Sequence, residues 1–279
     1  MFELLTAIFI LQGAQAAIAA PKELQRPPAQ ATVVAVVNGK NITAGQVQEY
    51  LYDWYAYDAT EDLMIAVMVD DAAKKESVSA TDAEVQEYLG TLISDAKKSM
   101  PGVADVDSEL RRRSMPRSRL ALRSRIEVLV RKIAEKGFKP AEQRKISWIY
   151  FGPRSAGEAG KTEAKSRADA AAARLTKGES WDTVALASDH ADSKGSKGLL
   201  GWIQMDELPA EVKSPLEKLS PGGVSGVIES TGTYAIYRVE AVGATGDEAK
   251  AAKDSYLERN VGKAFQKIRT DSKIEHKKL

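Results

Sequence analysis

The sequence contains no cysteine. Disulfides, thiolate nucleophiles, Cys-ligated zinc and a lipid-anchored N-terminal Cys are therefore excluded. Histidine is almost as scarce. His190 and His276 are the only two, too few for a multi-histidine metal centre. No Ser-His-Asp triad is suggested, although His190 could serve alone as a base. An excess of charge of one sign is also missing: 40 Lys and Arg face 39 Asp and Glu, a net charge of +1, so no global field draws in nucleic acid or a membrane. The apolar run Leu4–Leu11 is short of the ~20 residues a spanning helix needs, and Gln12 and Gln15 stop it from extending further. No internal repeat of 20–50 residues is visible.

The composition is otherwise that of an ordinary globular protein, 43% apolar and 28% charged over 279 residues, enough for one or two domains with a sizeable core. After Leu4–Leu11 come Ala14-Gln15-Ala16 and Ala17-Ile18-Ala19, the form of a secretory h-region and cleavage site. Only Met1, Phe2 and Glu3 precede the run, so the positive n-region is missing. The other reading is an anchoring or buried helix. Residues 1–20 thus read as a signal peptide or membrane-anchoring segment, and 21–32, with Pro21, Pro27 and Pro28, as a linker.

Val33–Val37 is strand-like, and Asn38-Gly39 is a turn signal. Thr43 with Gln46, and Thr81 with Glu84, are spaced as capping boxes. Helices are predicted over 44–57, 61–76, 82–98 and 107–136, the last kinked or split at Pro116 and ended by Gly137. After Pro140 the pattern changes. Lys145–Phe151 alternates as a strand, Glu163–Lys177 and Trp181–Ala187 read as helices, and Val224–Glu229 and Thr233–Val242 read as strands. Asp247–Lys273 returns to helix, with a stripe of Ala251, Leu257, Val261, Phe265 and Ile268 that must be buried elsewhere. The class is α+β: a helical module built from both ends of the chain, 33–139 and 244–279, with a small β-α-α-α-β-β domain inserted at 140–243.

Two regions carry a resemblance. Val36-Val37-Asn38-Gly39-Lys40-Asn41-Ile42-Thr43 and the helices after it resemble the N-terminal chaperone module of the SurA and PrsA class of exported folding factors. Ser188, Ser193, Gly198, Leu200, Gly201 and Trp202, then Gly222, Val224, Ser225 and Gly232, fall at the spacing of the parvulin (PpiC-like) peptidyl-prolyl cis-trans isomerases. The resemblance implies rotation of X-Pro bonds in unfolded or partly folded proline-containing polypeptides. It implies no cofactor, no metal and no nucleic-acid partner. It also implies an exported protein of the periplasm or cell envelope, near a membrane if its N-terminal segment stays attached. The oligomeric state is left open.

By the same resemblance the proline pocket would be lined by Leu200, Leu208 and Val212 with Trp202 nearby, Val212 standing where the family usually has Phe. The family's first histidine corresponds to Ser147, its second to Ala235 and its central Cys or Asp to His190. His190 and Ser147 are then the polar groups left for catalysis. The site is an altered one: a weak isomerase, or a peptide-binding surface without activity.

Three features remain. Nine Lys and Arg against Glu127 between Arg111 and Lys132 are either a surface for an acidic partner or a solvated face flanking Leu122, Ile126, Leu129 and Ile133. Tyr52, Trp54, Tyr55 and Tyr57 are either a grip for unfolded chains or helix-packing residues. Lys194-Gly195-Ser196-Lys197-Gly198 lacks the full phosphate-loop pattern.

Overall fold

The structure, a computed structural model, describes residues 19–275. Leu4–Leu11, the first Ala-x-Ala pattern and His276 lie outside the described residues. Among the described residues no helix is long and apolar enough to cross a membrane. The chain divides into two compact units, one comprising residues up to 133 and from 264 on, the other residues 134–263.

In the first unit, β1 (Val33–Val37) and β2 (Lys40–Thr43) form an antiparallel hairpin. Asn38 and Gly39 turn it with φ of 51° and 76°, the two positive values a tight hairpin turn requires. Thr43 closes β2 and caps α1 (Ala44–Lys75) in a complete capping box with Gln46. The two expected helices at 44–57 and 61–76 are one, because nothing from Ala56 to Glu61 breaks a helix. Its second half buries Asp62, Ala66, Val69 and Ala73, a stripe at intervals of four, three and four. Apart from the buried Ala44, its first half is largely exposed, as are both strands of the hairpin.

The helix α2 (Asp82–Ser99) starts on the expected Thr81–Glu84 box. Asp105 caps α3 (Val106–Arg112), whose end is separated by Pro116 from α4 (Arg117–Glu135). Leu89, Met100, Leu110, Leu120 and Ala121 form the core between them. The expected linker is not bare chain. Gln48 Nε2 donates to the Pro28 carbonyl (3.3 Å), Gln86 Nε2 to Glu23 Oε1 (2.8 Å) and Arg111 to Gln25 Oε1 (3.2 Å).

The second unit is built on a four-stranded antiparallel sheet in the order β4-β3-β6-β5. In chain order its elements are β3 (Gln143–Phe151), α5 (Gly157–Thr176), α6 (Trp181–Ala185), α7 (Ala191–Ser196), β4 (Leu199–Gln204), α8 (Ala210–Glu217), β5 (Ile228–Ser230) and β6 (Thr233–Val242), followed by α9 (Gly246–Asp271). The class is α+β as expected, but the element order needs correcting, since the sequence pattern predicts neither β4 nor α8. Leu199–Gln204 hides in a glycine-rich loop without alternation. The eight residues of α8 have no capping side chain and hold Pro215 inside the helix. The strand expected at Val224–Glu229 shrinks to Ile228–Ser230 with one bridge from Val224 to Arg238, since Gly222, Gly223 and Gly226 interrupt it.

Alternation gives the sheet two faces. Ile149 and Phe151 on β3 join Tyr234 and Ile236 on β6 beneath α5 and α6. Ile146 on β3 joins Ala235, Tyr237 and Val239 beneath Val212 and Leu216 of α8. On α9, Ala252 is the buried alanine, packed near Trp202 and Ala244, while the expected Ala251 is exposed.

Candidate active site

The site lies on the α8 face, where Trp148 and Tyr150 project from β3. Their ring centroids are 5.0 Å apart. Trp148 lies 6.3 Å from Tyr237 of β6 and 5.4 Å from His190, which also meets Tyr150 edge-on at 6.5 Å. Trp148 and Leu208 pack, partly buried, against the cluster of Met205, Val212, Leu216, Ile228 and Ala235. The result is four aromatic or imidazole rings beside an aliphatic floor.

His190 is held by main-chain hydrogen bonds on either side of it. The buried Ser188 Oγ accepts the N–H of Tyr150 (3.0 Å) and that of His190 (3.4 Å), and the Asp189 N–H donates to the Tyr150 carbonyl (2.8 Å). The Asp189 carboxylate accepts from the Gly152 N–H (3.0 Å), Arg154 (3.0 Å) and Arg167 (2.5 Å). Burial alone would raise the Asp189 carboxyl, but the hydrogen bonds from Arg167, Arg154 and Gly152 outweigh it and hold it below its ordinary value. On the far side of the loop, the Gly198 carbonyl accepts the Trp148 N–H at 2.8 Å.

The sequence-predicted site residues fall into separate places. His190, Leu208 and Val212 share the α8 face, and Val212 is buried to 2%. Ser147 points to the opposite face, 2% exposed, where its Oγ donates to Glu240 Oε1 at 2.5 Å. Glu240 is also bound by Arg238 at 2.7 Å, and Arg238 lies over the Trp181 ring at 4.9 Å. Ser147 therefore belongs to a polar cluster of its own, away from His190. Trp202 is buried with Phe138, Ala244 and Ala252. Leu200 is the extra residue of a bulge between the Ile146–Gly201 and Ser147–Leu199 pairs, and it is exposed. Ala235 lies on the α8 face, paired with Tyr150, and offers only a methyl group.

Sequence reasoning misses Trp148, Tyr150 and Tyr237. The signal for two of them is the period-2 spacing of Trp148 and Tyr150 within Lys145–Phe151. Burial, with the Glu211 carboxylate adding to it, pushes the Tyr237 phenol up to about 12, so it stays protonated in neutral solution. Among the described residues no three His, Asp or Glu side chains gather to hold a metal ion.

Chemically, the face can receive an apolar ring and strip water from the amide next to it. An X-Pro amide rotates over a barrier of ~18–20 kcal/mol set by resonance, and its charge-separated planar form is disfavoured when its carbonyl is desolvated.

Residues 149–241 match the family model described as rotamase, PPIC-type PPIASE domain. No curated protein matches the chain. Among solved structures the chain is similar to the peptidylprolyl isomerase PrsA from Bacillus cereus, at 14% identity over 90% of this chain and 95% of that one, with a TM-score of 0.39. It is also similar to PrsA from Bacillus anthracis (14% identity, 78% and 100% covered, TM-score 0.43) and to the foldase protein PrsA from Streptococcus pneumoniae (17%, 88% and 96%, TM-score 0.40). The chain thus carries, between residues 149 and 241, a PPIC-type peptidyl-prolyl isomerase domain of the parvulin kind.

Proposed function

We propose that this protein is an exported folding factor that isomerises X-Pro bonds in client polypeptides through the α8 face of its parvulin-type domain. The observation that carries this reading is the grouping of His190, Leu208 and Val212 on one face of the matched domain. A prolyl ring seated on that floor places the preceding carbonyl in a water-poor site. Only contacts stronger in the twisted amide than in the planar one accelerate its rotation. His190, among the rings on that face, carries a polar group suited to make one.

The helical unit supports a gripping role. Tyr50, Tyr52, Trp54 and Tyr57 on the first half of α1 are exposed, Trp54 to 64% and Tyr57 to 65%. Exposed aromatics bind unfolded segments with little demand for sequence. The apolar run Leu4–Leu11 with its trailing Ala-x-Ala patterns supports export to the periplasm or cell envelope, a reading that N-terminal sequencing of the protein from fractionated cells tests.

A second reading has its own support. Ala235 offers no polar group, and Ser147 is occupied with Glu240 on the other face. The domain then works as a peptide-binding surface without catalysis. Two-dimensional NMR exchange on a proline tetrapeptide with the full chain separates the two. Acceleration at micromolar protein supports the isomerase. Suppression of client aggregation without acceleration, and surviving His190→Ala, supports the chaperone.

A further inference from the structure

Apolar surface is unevenly distributed over this chain. Fourteen of the twenty large apolar side chains exposed among the described residues lie between Leu24 and Leu63, and the other six are scattered from Leu186 to Ile274. Single exposed leucines and valines are ordinary, but a concentration of this kind marks an interaction site. The fourteen are 37–65% exposed. With about 150–250 Å² on each aromatic side chain, they offer on the order of 1,000 Å². A stable dimer interface takes about 800 Å² from each partner.

The hairpin and α1 indicate what covers this surface. All five residues of β1, Val-Val-Ala-Val-Val, are exposed, and β2 is the only strand beside it among the described residues. A two-stranded hairpin is marginal alone in water. Exposed edges are normally guarded by charge or proline, and β1 has neither, only a bulge at Val34. Its free edge is a template for an extended strand, and an identical strand meets it antiparallel about a two-fold axis.

On α1, Val47, Tyr50, Leu51, Trp54 and Tyr55 recur at intervals of three, one, three and one, the stripe that a helix buries against a neighbour. In the second half of the same helix the corresponding stripe, Asp62 to Ala73, is buried. In the first half it is open. Glu49 and Asp53 lie about 160° round the helix from Leu51, so two such stripes meet without setting these carboxylates against each other. Asp58 ends the stripe. In an antiparallel crossing centred on Leu51 the two Asp58 carboxylates stand about 20 Å apart, beyond the ~8 Å over which salt screens charge.

We propose that a second copy of this chain covers this surface: β1 pairs antiparallel with β1 of the second copy, and the Val47–Tyr55 stripe of α1 is buried in the same two-fold interface. The inference is independent of the isomerase reading. A second copy and a client compete for the same aromatics, so the gripping role belongs to the separated protomer.

The test is sedimentation equilibrium of the full chain at micromolar concentration, wild type beside Val36→Lys, which charges the β1 edge, and Trp54→Glu, which charges the stripe. The expected result is a mass of two chains for wild type, with association weakened at least tenfold in each variant. Single cysteines provide a second measurement, because the chain has none of its own. Under mild oxidation at least one of Val34→Cys, Ala35→Cys and Val36→Cys forms a disulfide-linked dimer, while Leu186→Cys, an exposed position in the other unit, does not. Helical circular dichroism like that of wild type shows that a variant is folded, and where it is not, the cysteine series decides. A wild-type chain of single mass overturns the proposal, as does a dimer that both charged variants leave intact, or a cysteine series that links no better than Leu186→Cys. A monomer that suppresses client aggregation overturns the dimer and leaves the gripping role standing. A dimer weakened by the variants, in a chain that never suppresses aggregation, upholds the interface and removes the gripping role.

Discussion

Gly198 approaches Trp148 so closely that a Cβ on it would stand 2.1 Å from the Trp148 carbonyl oxygen. Its own carbonyl takes the Trp148 N–H at 2.8 Å, and its φ is +80°. This hydrogen bond returns the loop that carries His190 to the strand that carries Trp148. Gly198→Ala meets both a steric clash with backbone and a left-handed conformation that side chains resist. It should cost at least ~2 kcal/mol in urea unfolding and weaken isomerisation by displacing His190. An unchanged urea midpoint would show that the loop does not meet β3 at this point.

Ser147 and Glu240 make the corresponding contact on the other face. The Ser147 Oγ donates to Glu240 at 2.5 Å while Arg238 holds the same oxygen at 2.7 Å. Ser147→Ala removes one donor from a carboxylate that keeps its guanidinium. We expect a loss of ~1–2 kcal/mol, read by thermal or urea unfolding, and Ser147→Thr should recover little because the added methyl meets a full site. A variant as stable as wild type would mean that the hydroxyl does not serve Glu240.

Much of this architecture is legible in the amino-acid sequence, and the parts that are not have physical causes. Val33–Val37 and Thr233–Val242 are legible because β-branched and aromatic residues predominate there. The two capping boxes are legible because Thr, Gln and Glu at fixed spacing satisfy orphan amides whatever the tertiary setting. The helix α8 is not, because its start has no capping side chain and Pro215 argues against it. At the site, the residues the resemblance points to divide between two faces of the sheet: His190, Leu208 and Val212 lie on the α8 side and Ser147 on the other, beside Glu240. Ser147 and Trp148 look in opposite directions, and which direction meets His190 depends on how the 188–190 loop returns to Tyr150 of β3. No local pattern records that. Trp202 packs in a separate core beside Ala244 and Ala252.

Asp62 gives the basic helix α4 its structural role. It is buried on α1 and accepts from Arg119 at 2.5 Å and Arg123 at 3.0 Å, while Arg125 pairs with Asp70 at 2.9 Å. Three of the cations that could have suggested an acidic partner are thus spent on helix packing. Asp62→Ala leaves the Arg119 and Arg123 guanidiniums without their shared carboxylate. The loss should be ~2–3 kcal/mol, measured by urea unfolding, and the double variant Asp62→Leu with Arg119→Met should recover part of it. Equal stability of Asp62→Ala and wild type would place the arginines in solvent rather than on α1.

Glu84 sets an acid limit on the helical unit. It closes the Thr81 capping box and bonds Lys132 on α4 at 2.5 Å. The Lys132 hydrogen bond, together with weaker ones from Thr81, lowers its carboxyl from 4.5 to about 2. A carboxyl depressed on folding stabilises the native state above its unfolded pKa and loses that contribution as pH falls through the folded one. The contribution should therefore be complete above about pH 4.5 and gone below about pH 2. Over that interval wild type should lose stability faster with falling pH than Glu84→Gln, which keeps the side-chain shape without the charge. Because the pair is open to solvent, raising the salt concentration should narrow the difference. Unfolding midpoints measured from pH 6 to pH 2 by helical circular dichroism give the comparison, and parallel curves for the two proteins would mean that Glu84 and Lys132 do not interact in the folded state.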